Sequence, residues 1–148
     1  MNLTLFTDYS LRTLMYVASL PPEELANIDE IAKVYGISRN HLTKAVHRLG
    51  QLGYIQTIRG RNGGFRLAKP AVDIPIGEVV RQMEENLHVV ECFQGETGLC
   101  ILNPTCRLKR VLQKAMEAFL SVLDEYTLAD VVGDPVLLRV LFTQHRTS

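Results

Sequence analysis

The stretch "YGISRNHLTKAVHRLGQLGYIQTIRGRNGGFRLA", from Tyr35 to Ala68, decides the fold of this chain. In its first half, Leu42, Val46 and Leu49 recur at the spacing of one helix face. From Tyr54 the pattern changes to that of a strand, and "GRNGG" (60–64) is a turn sequence before a second short strand. The stretch therefore predicts a helix followed directly by a β-hairpin with a basic tip.

The preceding segment, "NIDEIAKVYG" (27–36), predicts a shorter helix. Asn27 is a suitable N-terminal cap, Glu30 completes a capping box, and Gly36 ends the helix. Ala32 is small at the point where two helices joined by a tight turn must cross. Together these features predict a helix-turn-helix, and the hairpin that follows makes it the winged variant.

Basic residues are concentrated in the same part of the chain. The 148-residue chain has 16 basic and 16 acidic residues, yet the span from Lys33 to Lys69 holds eight basic residues and no Asp or Glu. A basic centre in a neutral protein is typical of nucleic-acid binding, whereas a solvated basic face is the alternative. We therefore predict that the chain binds double-stranded DNA.

The recognition helix is predicted to run from Ser38 to Gly50, with its N-terminal residues in the major groove. There Arg39 can read guanine and Asn40 adenine, while basic residues further along contact phosphates. The wing arginines suit an adjacent minor groove, and the two histidines fit surface polar roles equally well. The predicted DNA-binding residues are Ser38, Arg39, Asn40, His41, Thr43, Lys44, His47, Arg48, Arg59, Arg61, Asn62 and Arg66.

The remaining chain predicts further helices: one near 7–20, a short one in "PIGEVVRQMEE" (75–85), a long one from about Pro104, and two short ones after it. The first of these has Leu11, Leu14, Met15 and Ala18 at helical spacing, which predicts its apolar face. The predicted fold is mainly α with a small β-hairpin: a winged helix-turn-helix domain plus a long dimerisation helix. We place the DNA-binding domain at 1–84, a cysteine-bearing loop at 85–106, and the dimerisation and C-terminal helices at 107–148.

The long helix carries a wide apolar stripe. The alternatives are that it packs wholly on its own domain or that a partner covers part of it, and we expect it to do both. Operators read by a helix-turn-helix usually have two half-sites, which a dimer binds. The chain is therefore predicted to form a homodimer on a palindromic operator. The stripe consists of Leu108, Val111, Leu112, Ala115, Met116, Phe119, Leu120 and Leu123.

Several classes of protein are excluded by what the sequence lacks. The start "MNLTLFTDYS" has neither the basic region nor the apolar run of a signal peptide, and no apolar stretch is long enough to span a membrane. We therefore expect a cytoplasmic protein with no membrane partner. Neither paired carboxylates in a cleft pattern, nor a phosphate loop, nor a catalytic triad is evident, so an enzyme is not expected.

All three cysteines lie within fifteen residues, at Cys92, Cys100 and Cys106, and we call residues 92–106 the cysteine segment. An odd count in a reducing compartment argues against a disulfide framework. The spacing lacks the close pair of a zinc finger. Soft thiolates in a Gly-rich loop suit an iron–sulfur cluster, but on spacing alone zinc remains equally open, and three inert cysteines are the third alternative.

The sequence resembles the winged-helix iron–sulfur repressors of the NsrR and IscR type, most closely the nitric-oxide-sensing NsrR branch. The resemblance rests on "LTLFTDYSLRTLMYVA" (3–18), on the helix and hairpin stretch, on "IGEVVRQMEE" (76–85), and on "CRLKRVLQKAMEAFLSVLDEYTLADVV" (106–132). It implies a homodimeric repressor that releases its operator in response to nitric oxide. It also implies one 4Fe–4S cluster per subunit (2Fe–2S as the alternative), held by Cys92, Cys100, Cys106 and Asp8 of the other subunit.

The fourth ligand has competing explanations. Asp8 also suits an acid in the first turn of a helix, or an ion pair with Arg12 four residues on. IscR-like members place a histidine directly after the third cysteine, where this chain has Arg107. Candidate ligands near the cysteines are His88, Glu91 and Glu96.

Two other functions remain open at this point. One is a regulator of iron–sulfur supply or iron status, with the same cluster but a different signal. The other is a zinc-stabilised adaptor that uses its winged helix for protein contacts.

Overall fold

The computed structural model describes residues 2–93, 100–102 and 105–146. Helices account for most of the described residues, and the two strands form one antiparallel hairpin, as predicted. The helices are α1 (Leu5–Ser19), α2 (Ile28–Tyr35), α3 (Arg39–Gln51), α4 (Ile76–Met83), α5 (Arg107–Asp124), α6 (Leu128–Val132) and α7 (Pro135–Arg146), and the strands are β1 (Ile55–Ile58) and β2 (Gly64–Leu67).

The helix-turn-helix is formed by α2, with the predicted cap Asn27, and by α3, which Ser38 caps. The Asn27 side chain accepts a hydrogen bond from the backbone N–H of Glu30 at 2.9 Å, and Ser38 accepts one from that of His41 at 3.3 Å. Between them Gly36 adopts the left-handed conformation, with φ of 65°. Glu30 does not complete the capping box in the described contacts, because its carboxylate accepts a hydrogen bond from the Tyr16 hydroxyl at 3.2 Å.

Helix α1 lies at the centre of the fold and packs against α3, α4, α6 and α7. Its inner face differs from the predicted apolar face, because four of its fully buried residues, Thr7, Ser10, Thr13 and Ser19, carry hydroxyls. Ser10 and Thr13 each donate a hydrogen bond at 2.7 Å to the carbonyl oxygen four residues back in their own helix. Their polarity is therefore satisfied without water, and small side chains let the neighbouring helices approach closely.

The hydrophobic core joins the helix-turn-helix to the C-terminal helices. Leu14, Ile31, Leu42 and Leu49 are fully buried in one cluster with Leu128 of α6. The proposed division at residues 84 and 106 stays a prediction, and the core is shared across it. Helix α5 begins at Arg107 because Cys106 caps it, whereas Pro104, its predicted start, lies outside the described residues.

The wing is attached to the body of the domain at its base. Strands β1 and β2 pair in the register Ile55↔Leu67 to Ile58↔Gly64. Ala26, just before α2, exchanges two backbone hydrogen bonds of 2.9 Å with Phe65. A Cβ at Gly64 would overlap the carbonyl oxygen of Ala26, so glycine is needed where the wing meets the helix-turn-helix.

The C-terminal end of α5 is fixed to α4. Arg81 donates two hydrogen bonds to the Asp124 carboxylate, at 2.5 and 2.6 Å, and these hold the pKa of Asp124 below its usual range. The backbone N–H of Ile76 donates to the carbonyl of Tyr126 at 2.9 Å. A Cβ on Gly77 would overlap the Asp124 carboxylate, so glycine at this position leaves room for the ion pair between α4 and α5.

Among the described residues, no helix combines the length and the apolarity needed to cross a bilayer.

We expect opposite effects from two glycine-to-alanine changes. Gly36→Ala should lower the free energy of unfolding by about 1 kcal/mol, because an L side chain is disfavoured in the left-handed region. Gly50→Ala should raise it by about 0.5 kcal/mol, because Gly50 lies within α3 and its added Cβ would meet open space. Urea unfolding of both variants measures these changes, and equal effects would contradict the assigned turn.

Candidate functional site

The twelve predicted DNA-binding residues are all exposed. Helix α3 buries Leu42, Ala45 and Leu49 against the domain and thereby turns its predicted recognition residues outward. The structure therefore brings the recognition helix and the wing to the surface with their cationic side chains available to a ligand, which is the arrangement that a DNA interface requires.

The N-terminal turn of α3 has two contacts that the sequence did not indicate. The guanidinium Nη1 of Arg39 lies 2.9 Å from Oδ1 of Asp29 in α2. The ring of His41 lies 5.9 Å, centroid to centroid, from that of Tyr9 in α1. Both partners lie outside the acid-free basic span, and only the tertiary packing of α1 and α2 against α3 brings them to it.

The basic side chains of the wing differ in position and in the contacts they make. Arg59, Arg61 and Asn62 lie in the turn region, whereas Arg66 lies on β2 itself, where its guanidinium is 3.4 Å from the amide oxygen of Gln56 on the paired strand. The ammonium of Lys69 lies 4.8 Å from the centre of the Tyr54 ring. That cation therefore packs on the domain, and the basic count overstates the charge available to DNA.

The three cysteines are free thiols in different surroundings. Cys92 lies half-buried in the short 3₁₀ turn Glu91–Phe93, and Cys100 is exposed. Cys106 is half-buried and caps α5: its Sγ accepts a hydrogen bond from the backbone N–H of Lys109 at 3.4 Å. Within residues 2–93, 100–102 and 105–146, no three or more metal-ligating side chains lie together in one group.

The donor chemistry of this segment nevertheless fits an iron–sulfur group. Thiolates are the soft ligands that such clusters use. Cys106 places its thiol at the N-terminal end of α5, where the Sγ atom already accepts one backbone N–H. The described residues of the single chain contain no preformed group of metal ligands. Such a group need not be preformed if the ligands come together only when the metal binds, or if another chain supplies one of them.

Two of the candidate fourth ligands, Asp8 and His88, contact other side chains in the single chain. The Asp8 carboxylate accepts a hydrogen bond from Nε of Arg12 at 3.1 Å and lies 2.9 Å from Nη2 of the same residue. His88 stands edge-on to the Phe93 ring at 6.3 Å. Glu91 is exposed beside Cys92, and Glu96 lies outside the described residues. In the isolated chain, Asp8 therefore forms the ion pair with Arg12 that the sequence offered as an alternative to a ligand role.

The apolar stripe of helix α5 is packed against the core in one part and exposed in another. Leu120 and Leu123 pack against the core, whereas Leu108 and Val111 are more than 60% exposed. An uncovered apolar face on a helix of 18 residues is the kind of surface that a second protein covers.

Comparison with known proteins identifies the family. Residues 3–134 match Rrf2, described as "Iron-dependent Transcriptional regulator". The chain belongs to the Rrf2 family. Its full length is 56% identical to the "HTH-type transcriptional regulator NsrR" of Shouchella clausii and covers 99% of that protein. The predicted resemblance to NsrR-type regulators is thereby confirmed.

Solved structures confirm the winged-helix fold of this Rrf2 chain. The global cysteine regulator CymR of B. subtilis superposes with a TM-score of 0.72 at 24% identity, over 89% of this chain and 96% of that one. IscR of T. potens gives 0.71 at 24%, over 90% and 88%. The chain is thus a DNA-binding transcriptional regulator, and the expectation that it is not an enzyme is confirmed by its relatives.

Lys44 provides a test of the interface. Lys44→Ala should weaken binding to all DNA sequences alike and reduce the slope of log K against log salt by about 1, because one phosphate contact is lost. Lys114→Ala removes the same charge from α5, outside the basic span, and should leave the slope unchanged. Fluorescence anisotropy titrations at several salt concentrations measure both slopes, and indistinguishable variants would exclude Lys44 from the interface.

The capping role of Cys106 can be separated from a ligand role. In the metal-free, reduced chain, Cys106→Ser should be more stable to urea than Cys106→Ala by about 1 kcal/mol, with the native cysteine between them, because a hydroxyl is the better N-cap. Both variants lack the thiol, so a metal ligand at this position predicts the same loss of iron in both. If the more stable variant, Cys106→Ser, instead retains more iron than Cys106→Ala, then Cys106 has a structural role only.

Proposed function

We propose that this Rrf2-family chain is a homodimeric repressor that binds a roughly palindromic operator and releases it when nitric oxide reacts with an iron–sulfur cluster. The observation that carries the proposal is the combination, in one chain, of an exposed recognition helix and wing with three free thiols in the segment that leads into α5. The resemblance to NsrR-type repressors supports nitric oxide as the signal, and the cytoplasm is the proposed location.

The proposed ligands are Cys92, Cys100 and Cys106 of one subunit and Asp8 of the other, around a 4Fe–4S cluster, with 2Fe–2S as the alternative. When bound, such a cluster supplies iron that nitric oxide can attack. A carboxylate is a hard ligand among soft thiolates, so Asp8 is the ligand expected to be replaced most readily.

Besides the proposed cluster, Asp8 has a possible partner in its own helix, Arg12. In the single chain the Asp8 carboxylate contacts the Arg12 guanidinium four residues away, which supports Arg12 as its partner once it is no longer a ligand. Releasing Asp8 therefore leaves no unpaired charge. This lowers the free-energy difference between the two arrangements, and a difference of a few kcal/mol is enough to change operator occupancy.

A change at α1 would reach the recognition helix through direct packing. Tyr9, the neighbour of Asp8, contacts His41 of α3, and Leu14 lies in the same buried cluster as Leu42. Two recognition helices in a dimer must match half-sites about 34–36 Å apart. A displacement of α1 relative to the other subunit would therefore alter that match and lower the affinity.

The uncovered face of α5 supports the homodimer. Leu108, Val111 and Val122 expose between 53% and 64% of their surface in the single chain. Burying these side chains against a second copy would be favourable at roughly 25 cal/mol per Å².

A second candidate is a regulator of iron status, and the family description "Iron-dependent Transcriptional regulator" favours it. It would use the same three thiols. Loss of DNA binding when iron is removed, without any particular sensitivity to nitric oxide, would distinguish it.

The deciding experiment uses protein purified without oxygen. Its visible absorption spectrum and its operator affinity are measured in the same sample, before and after stoichiometric nitric oxide. We expect an iron–sulfur band that is lost together with operator binding. A band unaffected by nitric oxide would favour the iron-status regulator, and a colourless protein with iron supplied during expression would overturn both.

Asp8→Ala tests the ligand assignment within that experiment. It should change both the operator affinity before nitric oxide and the response to it. Asp73→Ala removes an equivalent exposed carboxylate from the 3₁₀ turn Ala71–Asp73 and should change neither. Normal behaviour of Asp8→Ala in both measurements would contradict the assignment.

A further inference from the structure

We propose that Asp29 is a positioning residue for Arg39: it holds the guanidinium in one orientation at the start of the recognition helix and so increases the discrimination of the operator from other DNA. This rests on the proposed function, in which Arg39 lies in the major groove.

The pair is a product of the helix-turn-helix geometry. Asp29 lies in the first turn of α2 and Arg39 is the first residue of α3, with the left-handed turn at Gly36 between them. Their side chains meet at 2.9 Å between Oδ1 and Nη1. In the described part of the chain, Asp29 is the one acidic side chain in an ion pair with a predicted DNA-binding residue.

The ion pair itself contributes little to the stability of the fold. The Asp29 and Arg39 side chains are 61% and 67% exposed, and exposed ion pairs add little to stability. Near DNA an unpaired carboxylate repels the phosphates and weakens binding to every sequence. A negative charge at the N-terminal end of the recognition helix therefore opposes binding unless it improves the selection of sequence.

The contact leaves Arg39 able to read a base. A guanidinium has five N–H donors in a fixed plane, and bidentate recognition of guanine O6 and N7 requires two of them. The contact with Asp29 involves Nη1 alone, so Nε, Nη2 and one further hydrogen on Nη1 remain. The ion pair and the guanine contact can therefore exist together.

Holding the Arg39 side chain in one orientation favours the specific complex with DNA over the non-specific one. A long arginine side chain loses many rotamers on binding, and a side chain already held in place loses fewer. The same carboxylate partly neutralises the charge that Arg39 would offer to any phosphate. Asp29 should therefore raise the ratio of specific to non-specific affinity while it lowers non-specific affinity.

The experiment uses the full-length, cluster-loaded protein without oxygen, matched for iron content among variants. The specific probe is a duplex selected by the native protein from a random-sequence library, and the non-specific probe is a scrambled duplex of the same length. Asp29→Asn should lower the affinity ratio about three- to tenfold and leave non-specific affinity unchanged or higher. Asp29→Glu, which keeps the charge, should retain part of the ratio.

Two further variants show whether Asp29 acts through Arg39. In an Arg39→Ala background, Asp29→Asn should have no additional effect on the ratio, because coupled residues give non-additive changes. Glu23→Gln removes one exposed acid elsewhere on the domain and should leave the ratio unchanged. Urea unfolding confirms that each variant is folded at the assay temperature.

The possible failures can be told apart. If Asp29→Asn strengthens binding to both duplexes equally, Asp29 is only a general electrostatic brake and the proposal is wrong. If Arg39→Ala lowers the ratio but Asp29→Asn does not, positioning is overturned while the proposed interface stands. If Arg39→Ala has no effect, Arg39 does not read DNA, and both the positioning role and this part of the proposed interface are overturned.

Discussion

The burial of α1 is the constraint on which the rest of this structure depends. The helix packs against the recognition helix, α4 and the C-terminal helices at once, and it can do so because its inner face combines Leu14 and Val17 with small hydroxyl residues. Each of Ser10 and Thr13 satisfies its hydroxyl within the helix, so close packing leaves neither hydroxyl unpaired. A helix held on so many sides keeps the recognition helix in a fixed orientation.

Local signals in the sequence predicted the elements well where a single residue type decides the conformation. Asn27, Gly36 and Ser38 define the helix-turn-helix by capping and by the left-handed turn, and these effects act over a few residues. The hydrophobic pattern also located α1 and correctly placed Leu14 on its inner face, but it placed Leu11, Met15 and Ala18 there too, which are only half-buried. Apolar periodicity does not register buried hydroxyls whose hydrogen bonds are made within the helix.

The parts that could not be predicted depend on contacts between distant segments. The pairing of Asp29 with Arg39 follows from how α2 crosses α3 and is not visible as a sequence pattern. The start of α5 depends on a thiol acting as a cap, a role more often filled by hydroxyl and carboxylate side chains. The proposed ligand set involves two copies of the chain, so one sequence supplies all four ligands but one subunit does not contain the whole site.

Helix α5 is held unequally at its two ends. Asp124, at one end, is bound to Arg81 and closely approached by Gly77, whereas Leu108 and Val111, in the first turns, are largely uncovered. At 1.5 Å per residue its 18 residues measure about 27 Å. A shift of about 2 Å at the Cys106 end therefore corresponds to a tilt of only about 4° at the Asp124 end. Mechanically, the helix is a lever with its pivot in the DNA-binding body and its long arm at the cysteine segment.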